Sequence, residues 1–355
     1  MNELNFKDGS VILFTSDIHI ENNRNLPNVI KTCDWISKIA KEEKVTDIFI
    51  LGDFLNSREK LDSLALNKAT DIFENFNKAA KVYTLIGNHE IYVKTTKFDV
   101  NSLKPFIRHA EIIDCFKILT GPDFYMYCIP YIESNDIFAG IINSIYEKCW
   151  DVPEGKKRIL CAHQGIEGAV TNDLYNIYDR NGINSTILSK FDKVFLGHYH
   201  KYQDIGNITY TGSPLQLSFG EEYSDKGVTL YYTKTNEFKF IKNPHYECYK
   251  TVINTDEDVN GKFVRYMTDE LKDTSEIEKI RKILFEKGAV EVRIDFKIKA
   301  AEGREQSTIT GELDLKALTK EYISKNCGCL DKEKLFTVGG EIKNIVKERD
   351  THIDY

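Results

Sequence analysis

Five short apolar runs punctuate the first two hundred residues, and each stops abruptly at Asp, Asn or His. They are VILFTSDIH (11–19), DIFILGD (47–53), VYTLIGNHE (82–90), RILCAHQ (158–164) and VFLGHYH (194–200). Rich in β-branched and aromatic residues, they predict strands covered on both faces. Between the first three lie segments with helical spacing. Over 29–41, Ile30, Cys33, Ile36, Ile39 and Ala40 share one side. Over 61–76, the apolar positions are Leu64, Leu66, Ala69, Ile72, Phe73 and Phe76. Strand alternating with helix predicts crossover units and an α/β fold built on one mainly parallel sheet. Sites in such sheets form beyond the carboxyl ends of the strands. Five polar clusters far apart in sequence are therefore expected to converge at one edge.

The pattern changes at Asn243-Pro244, a boundary signal because the residue before proline resists helix continuation. Beyond it, YKTVINT and AVEVRIDFKIKA alternate as strands do. Between them, TSEIEKIRKILFEKG has helical spacing, with Ile277, Ile280, Ile283 and Leu284 on one face. A strand–helix–strand unit is expected there. The last segment, 313–350, reads as two helical stretches around a Gly-Cys turn. Its apolar stripe is Leu315, Leu318, Tyr322 and Ile323.

Composition narrows the class. With 355 residues, 41% hydrophobic and 29% charged, the chain reads as one large soluble domain plus a smaller one. A net charge of −7 argues against holding nucleic acid by bulk charge alone, and no basic stripe marks the C-terminal third. The eight cysteines are scattered, as reduced thiols are. Cys327 and Cys329 lack the second Cys or His pair that a zinc site needs. No apolar run approaches the ~20 residues of a spanning helix, and MNELNFKDGSVILF has no export features. No membrane association and a cytoplasmic location are expected.

The polar clusters carry the chemistry. Together they supply Asp17, His19, Asp53, Asn88, His163, His198 and His200, with His89 beside Asn88. Asp17 and His19 are two apart, as are His198 and His200, so an extended backbone would turn each pair to one side. Taken singly, the pieces have ordinary explanations. Gly-Asp and Gly-Asn-His are turn signals, and His163 after an apolar run could be a core histidine. All five, each closing a buried-strand pattern, point to a metal site. The nitrogen and oxygen donors suit Mn²⁺, Fe²⁺, Zn²⁺ or Mg²⁺, and the number of imidazoles weighs against Mg²⁺. Seven donors exceed what one ion with an open position takes. They suit two divalent ions bridged by a carboxylate, an arrangement able to clamp a phosphate and activate a water.

The ordered motifs SDIH, GDFLN, GNHE, AHQ and GHYH resemble those of calcineurin-type metallophosphoesterases over roughly 11–242. The resemblance implies a metallophosphoesterase sandwich, two sheets flanked by helices, in place of the single sheet. A further stretch, YTGSPLQLSFGEEYSDKGVTLYY (210–232), resembles the SbcD family of DNA double-strand-break repair nuclease subunits, which includes phage recombination endonuclease subunits. That resemblance implies an Mn²⁺-dependent DNA exo- or endonuclease subunit that dimerises and works with an SbcC-type ATPase. It also implies three parts: a nuclease domain (1–243), a small α/β capping domain that binds DNA (244–310), and a helical tail docking on the ATPase (311–355).

Carried over by motif, Asp17, His19 and His200 would hold one ion. Asn88, His163 and His198 would hold the other, and Asp53 would bridge. His89 would contact the phosphate and assist the leaving oxygen. Glu90 stands where many relatives have Asp, and would orient a neighbouring imidazole with a longer arm. Asn56 stands where many relatives have an acidic residue or histidine. Two rival expectations are a phosphoesterase for a small molecule or phosphoprotein, and a scaffold with structural metal. GSPLQLSFGEE favours the nuclease over the first, and His89 speaks against the second.

Overall fold

The apolar runs become strands, but they divide between two sheets. The structure is a computed structural model and describes residues 5–57, 62–91, 100–172, 177–269 and 273–296. The chain divides into two units, 1–297 and 298–355, and the second, with the expected helical tail, lies outside the described residues.

In chain order the first sheet gains β1 (Val11–Thr15), β2 (Asp47–Ile50), β3 (Lys81–Leu85) and β4 (Glu111–Ile113). The helices α1 (Leu26–Glu42) and α2 (Ser63–Asn77) are its crossovers. The second sheet is built from β5 (Lys117–Thr120), β6 (Phe124–Ile129) and, after α3 (Asn135–Lys148), β7 (Lys157–His163). A small hairpin, β8 (Val170–Asn172) and β9 (Ile177–Tyr178), precedes its last strands, β10 (Lys193–Gly197), β11 (Gln203–Ile205) and β12 (Ile208–Tyr210). The chain then returns to the first sheet through β13 (Gly227–Tyr232) and β14 (Glu237–Lys242).

The orders are β14-β13-β1-β2-β3-β4 and β11-β12-β10-β7-β6-β5. Strands β1 to β4 run parallel, as do β6, β7, β10 and β12, so each sheet presents its carboxyl ends together. The single sheet expected from periodicity is thus two, and the two-sheet sandwich that the resemblance implied is what forms. A doubly buried run says that both faces are covered, not what covers them. Here helices cover the outer faces and the sheets cover each other. Between them Phe14, Phe49, Tyr83, Met126, Phe195 and Tyr231 form a common core. The rings of Phe14 and Phe195 stack at 4.2 Å.

Helix α2 shows why its segment folds as it does. The Asp62 carboxylate caps it, accepting from the Leu64 N–H at 2.8 Å. Ala65, Ala69, Ile72, Phe73 and Phe76 are buried beneath it, whereas Leu64 stays exposed. Beyond the sandwich, β15 (Tyr249–Val252), β16 (Phe263–Thr268) and β17 (Glu291–Phe296) form a three-stranded parallel sheet. The helix α4 (Thr274–Glu286) connects the last two strands and buries Leu284 among Val252, Val264, Tyr266 and Val292. No described helix is long and apolar enough to cross a membrane.

Candidate metal centre

The carboxyl ends of β1, β2, β3, β7 and β10 meet at one rim, and all eight residues singled out in the sequence meet there. The backbone is bent to do this. Asp17 (φ 53°), His19 (52°), Asp53 (51°) and His198 (99°) are four of the six described non-glycine residues in the left-handed region. Such residues cost about 1–3 kcal/mol each and persist only where the surroundings hold them. Here the turns hold each other: the Asp17 N–H donates to the Gly52 carbonyl at 3.1 Å, and the His19 N–H to that of Asp53 at 3.0 Å. The extended backbone that would have set each Asp-x-His or His-x-His pair to one side is therefore absent. Asp17 and His19 still meet, but His198 and His200 diverge toward different partners.

One group contains Asp17 Oδ1, His19 Nε2 and His200 Nε2. The two imidazole nitrogens face each other at 3.2 Å, and each lies 3.9 Å from the carboxylate oxygen. The second contains Asn88 Oδ1, which lies 3.0 Å from both His163 Nε2 and His198 Nδ1. Asp53 Oδ2 stands between the groups, 3.3 Å from His163 Nε2 and 3.8 Å from His19 Nε2. His89 Nε2 approaches the same oxygen at 4.0 Å from the open side.

The donor set fits two cations. An ion ~2.0–2.2 Å from nitrogen and oxygen donors holds those donors roughly 3–3.6 Å apart, close to the spacings seen. Asp17 Oδ1 is fully buried without a hydrogen-bond partner, an acceptor that a cation would satisfy. Four of the five imidazoles are also anchored by their Nδ1–H groups, leaving Nε2 to the site. His19 donates to Asn56 Oδ1 (3.0 Å), His89 to the Asn56 carbonyl (2.7 Å), His163 to the Leu51 carbonyl (2.6 Å), and His200 to Glu221 Oε1 (3.0 Å). A ligating histidine held by its other nitrogen is the usual arrangement at metal sites.

Electrostatics agree. Burial, reinforced by His200, lowers the pKa of His19 to about 4. Burial, with His163 adding to it, does the same for His198. Both rings are neutral, as ligation requires. Burial opposes charge on His163 too, but Asp53 outweighs it and lifts the ring to about 9. Burial would raise Asp53, yet His163 beside it holds the carboxyl well below its usual range.

Glu90 lies beneath the site rather than against an imidazole. Its carboxylate accepts the N–H groups of Asp53 (3.0 Å), Leu55 (2.9 Å) and Gly87 (2.7 Å), so its longer arm staples the β2 turn to the β3 turn. Burial and the charge of Asp53 raise it to about 8, against the Leu55 and Gly87 N–H groups. The turns are also glycine-limited. A Cβ on Gly87 would overlap Asp53 Oδ1, and one on Gly52, itself at φ 94°, would overlap the His163 ring.

Sequence reasoning marked the place of Asn56 without its role and missed Glu221 altogether. Asn56 holds two imidazoles at once, His19 by its side chain and His89 by its carbonyl. Glu221 holds a third. The only signal for Asn56 was its place three residues after Asp53, and Glu221 lay unnoticed in GSPLQLSFGEE. Above the ligands opens a cavity of ≈ 450 Å³ whose walls include Asn56, His89, Lys201, Leu217 and Tyr249.

Comparison with known proteins places this geometry. Residues 10–244 match the family described as calcineurin-like phosphoesterase. The 244L protein of Invertebrate iridescent virus 6, which carries a phosphoesterase name, is 31% identical over 63% of this chain and 76% of its own. Exonuclease subunit 1 of Enterobacteria phage T4 is 22% identical over 58% of each chain, so this chain spans less than two thirds of that relative. The SbcD subunit of the SbcCD nuclease of Staphylococcus saprophyticus is 23% identical over 65% of this chain and 68% of its own. With two thirds of its length matched and paired donor groups at the strand ends, the chain belongs to the calcineurin-like phosphoesterase family, whose members use a dinuclear metal site.

Proposed function

We propose that this protein is a two-metal DNA phosphodiesterase, the nuclease subunit of an SbcCD-type repair and recombination complex. The observation that carries the phosphodiesterase chemistry is the pair of donor groups meeting at Asp53, with His89 on the open side. In this reading Asp17, His19 and His200 hold one ion, and Asn88, His163 and His198 the other. Asp53 reaches both. Bound divalent ions, Mn²⁺ by analogy with the SbcD nucleases, would neutralise phosphate charge and supply an activated water for in-line attack.

The remaining chemistry belongs to the chain. Asn56 fixes His89 through Nδ1–H, so Nε2 faces the cavity. With Nδ1 committed as a donor, only the imidazolium can also donate from Nε2. That form is the one able to hydrogen-bond a phosphoryl oxygen and pass a proton to the leaving oxygen. Glu90 keeps the two turns in register. The DNA assignment draws on the nuclease relatives and on the 210–232 stretch. By the same resemblance, the part beyond 243 caps the DNA site, the 311–355 tail docks on an SbcC-type ATPase, and the protein dimerises.

The test is Mn²⁺-dependent cleavage of linear duplex and hairpin DNA, with bis-p-nitrophenyl phosphate as a small diester control. The parent should cut DNA. His89→Asn should keep its metal content and lose roughly 10²–10⁴-fold in cleavage. Parental cleavage by His89→Asn would remove its acid role. Hydrolysis of the small diester alone would favour a different phosphoester, in keeping with the phosphoesterase name of the iridovirus relative.

A further inference from the structure

The stretch GSPLQLSFGEEYSDKG supplies no donor to either group, yet it packs directly behind one. Glu221 faces the site. Its Oε1 accepts from His200 Nδ1 at 3.0 Å and from Ser218 Oγ at 3.2 Å. Its Oε2 pairs with Lys226 Nζ at 2.7 Å and accepts the Leu217 N–H at 3.2 Å. Lys226 is fully buried, and its ammonium also donates to the His200 carbonyl (2.6 Å) and to Ser213 Oγ (2.8 Å). One small cluster therefore grips His200 by ring and backbone together. The next residue faces the other way. Glu222 accepts from the N–H and hydroxyl of Thr251 on β15, both at 2.5 Å. Gln216 ties the same strand, accepting the Tyr249 N–H at 2.9 Å and donating to the Glu222 carbonyl at 3.0 Å.

We propose that Glu221 is the positioning residue for His200, held in place by a strap anchored to the three-stranded sheet. An ionised carboxylate only accepts hydrogen bonds, so it requires the proton on Nδ1 and leaves the Nε2 lone pair bare. Nε2 then faces Asp17 and His19, as observed. The inference rests on the reading that His200 is a metal ligand. A simpler role for Glu221 would be to neutralise the buried charge of Lys226, since a lone buried ammonium is costly. The two roles separate when both charges are removed together.

The experiment titrates Mn²⁺ into the metal-free full chain by calorimetry, using the parent, Glu221→Gln, Glu221→Gln with Lys226→Met, and His200→Ala. Long-range proton–nitrogen spectra of the histidines report the His200 tautomer in the same samples. Both Glu221 variants should bind one of two ions about 10–100-fold more weakly, the loss typical when the support of a ligating histidine is removed. The other ion should be unaffected, and the His200 resonances should move away from a pure Nδ1–H form. Parental affinity with unmoved His200 resonances in the double variant would overturn the proposal and leave Glu221 as a counter-charge for Lys226. His200→Ala keeps the underlying reading separate. If it retains both ions at parental affinity, His200 is not a ligand and the reading itself fails. If it loses one ion while the double variant matches the parent, only the role of Glu221 falls.

Discussion

In the proposed ligand role, His163 must give up a proton to an incoming cation. Its Nδ1–H is committed to the Leu51 carbonyl, and its Nε2 lies 3.3 Å from Asp53. Burial disfavours the charged ring, but Asp53 outweighs it and sets the pKa at about 9. At pH 7 the ion-free site therefore holds that proton, and ligation through Nε2 must expel it. Metal binding should release one proton or more at pH 7, that of His163 and a share from His200, which Glu221 raises against burial, and affinity should rise with pH by about tenfold per unit or more until about pH 9. Calorimetry in two buffers of different ionisation enthalpy measures this directly, and a buffer-independent heat would refute it. Asp53 leads to a second expectation. Since its Oδ2 faces His163 and His19, Asp53→Asn should weaken both ions, and loss of only one would contradict bridging. At this scale the donors themselves were legible, because each closes an apolar run. Their supports were not. Asn56 reaches His19 across 37 positions and Glu221 reaches His200 across 21, joined only by how two loops fold back.

The five strands that end in site residues were legible, and their sheet membership was not. β1, β2 and β3 read as buried runs because both faces are covered, and so did β7 and β10. Nothing in a buried run says whether its neighbour in space is a helix or another sheet, so two sheets looked like one. The middle strand of the small sheet, β16, also went unread, and Ile283, expected on the packed face of α4, is 40% exposed. The turns at the strand ends are where elements become a site. Gly87 sits where the β3 turn passes the Asp53 side chain, with no room for a Cβ against Oδ1. Its φ is not in the left-handed region, so alanine there meets crowding rather than backbone strain. Overpacking of this kind costs about 1–3 kcal/mol. Gly87→Ala should keep its circular dichroism and bind metal roughly tenfold or more weakly. A variant that binds both ions like the parent would show that the turn has slack the contact distances deny.

If the proposed nuclease role holds, a chain of net charge −7 engages DNA without a general electrostatic attraction. Proteins that neutralise many phosphates show it as a steep fall of affinity with salt, close to 0.9 in log–log slope per phosphate contacted. Here the cavity above the ligands offers Lys201 among Glu21, Glu221 and a row of asparagines, a mostly neutral wall with little stored positive charge. The positive charge at the scissile phosphate would come from the bound ions instead. Duplex binding by this chain alone should therefore depend on divalent metal, be weak, and have a log–log salt slope no steeper than about −3. An SbcC-type partner, in the proposed assembly, would supply the remaining backbone contacts and steepen the slope. Fluorescence anisotropy with a labelled duplex at several salt concentrations, with Mn²⁺ and with chelator, measures both quantities. Tight, metal-independent binding with a slope near −6 would show that the chain holds a basic groove of its own, and the dependence on a partner for DNA capture would have to be given up.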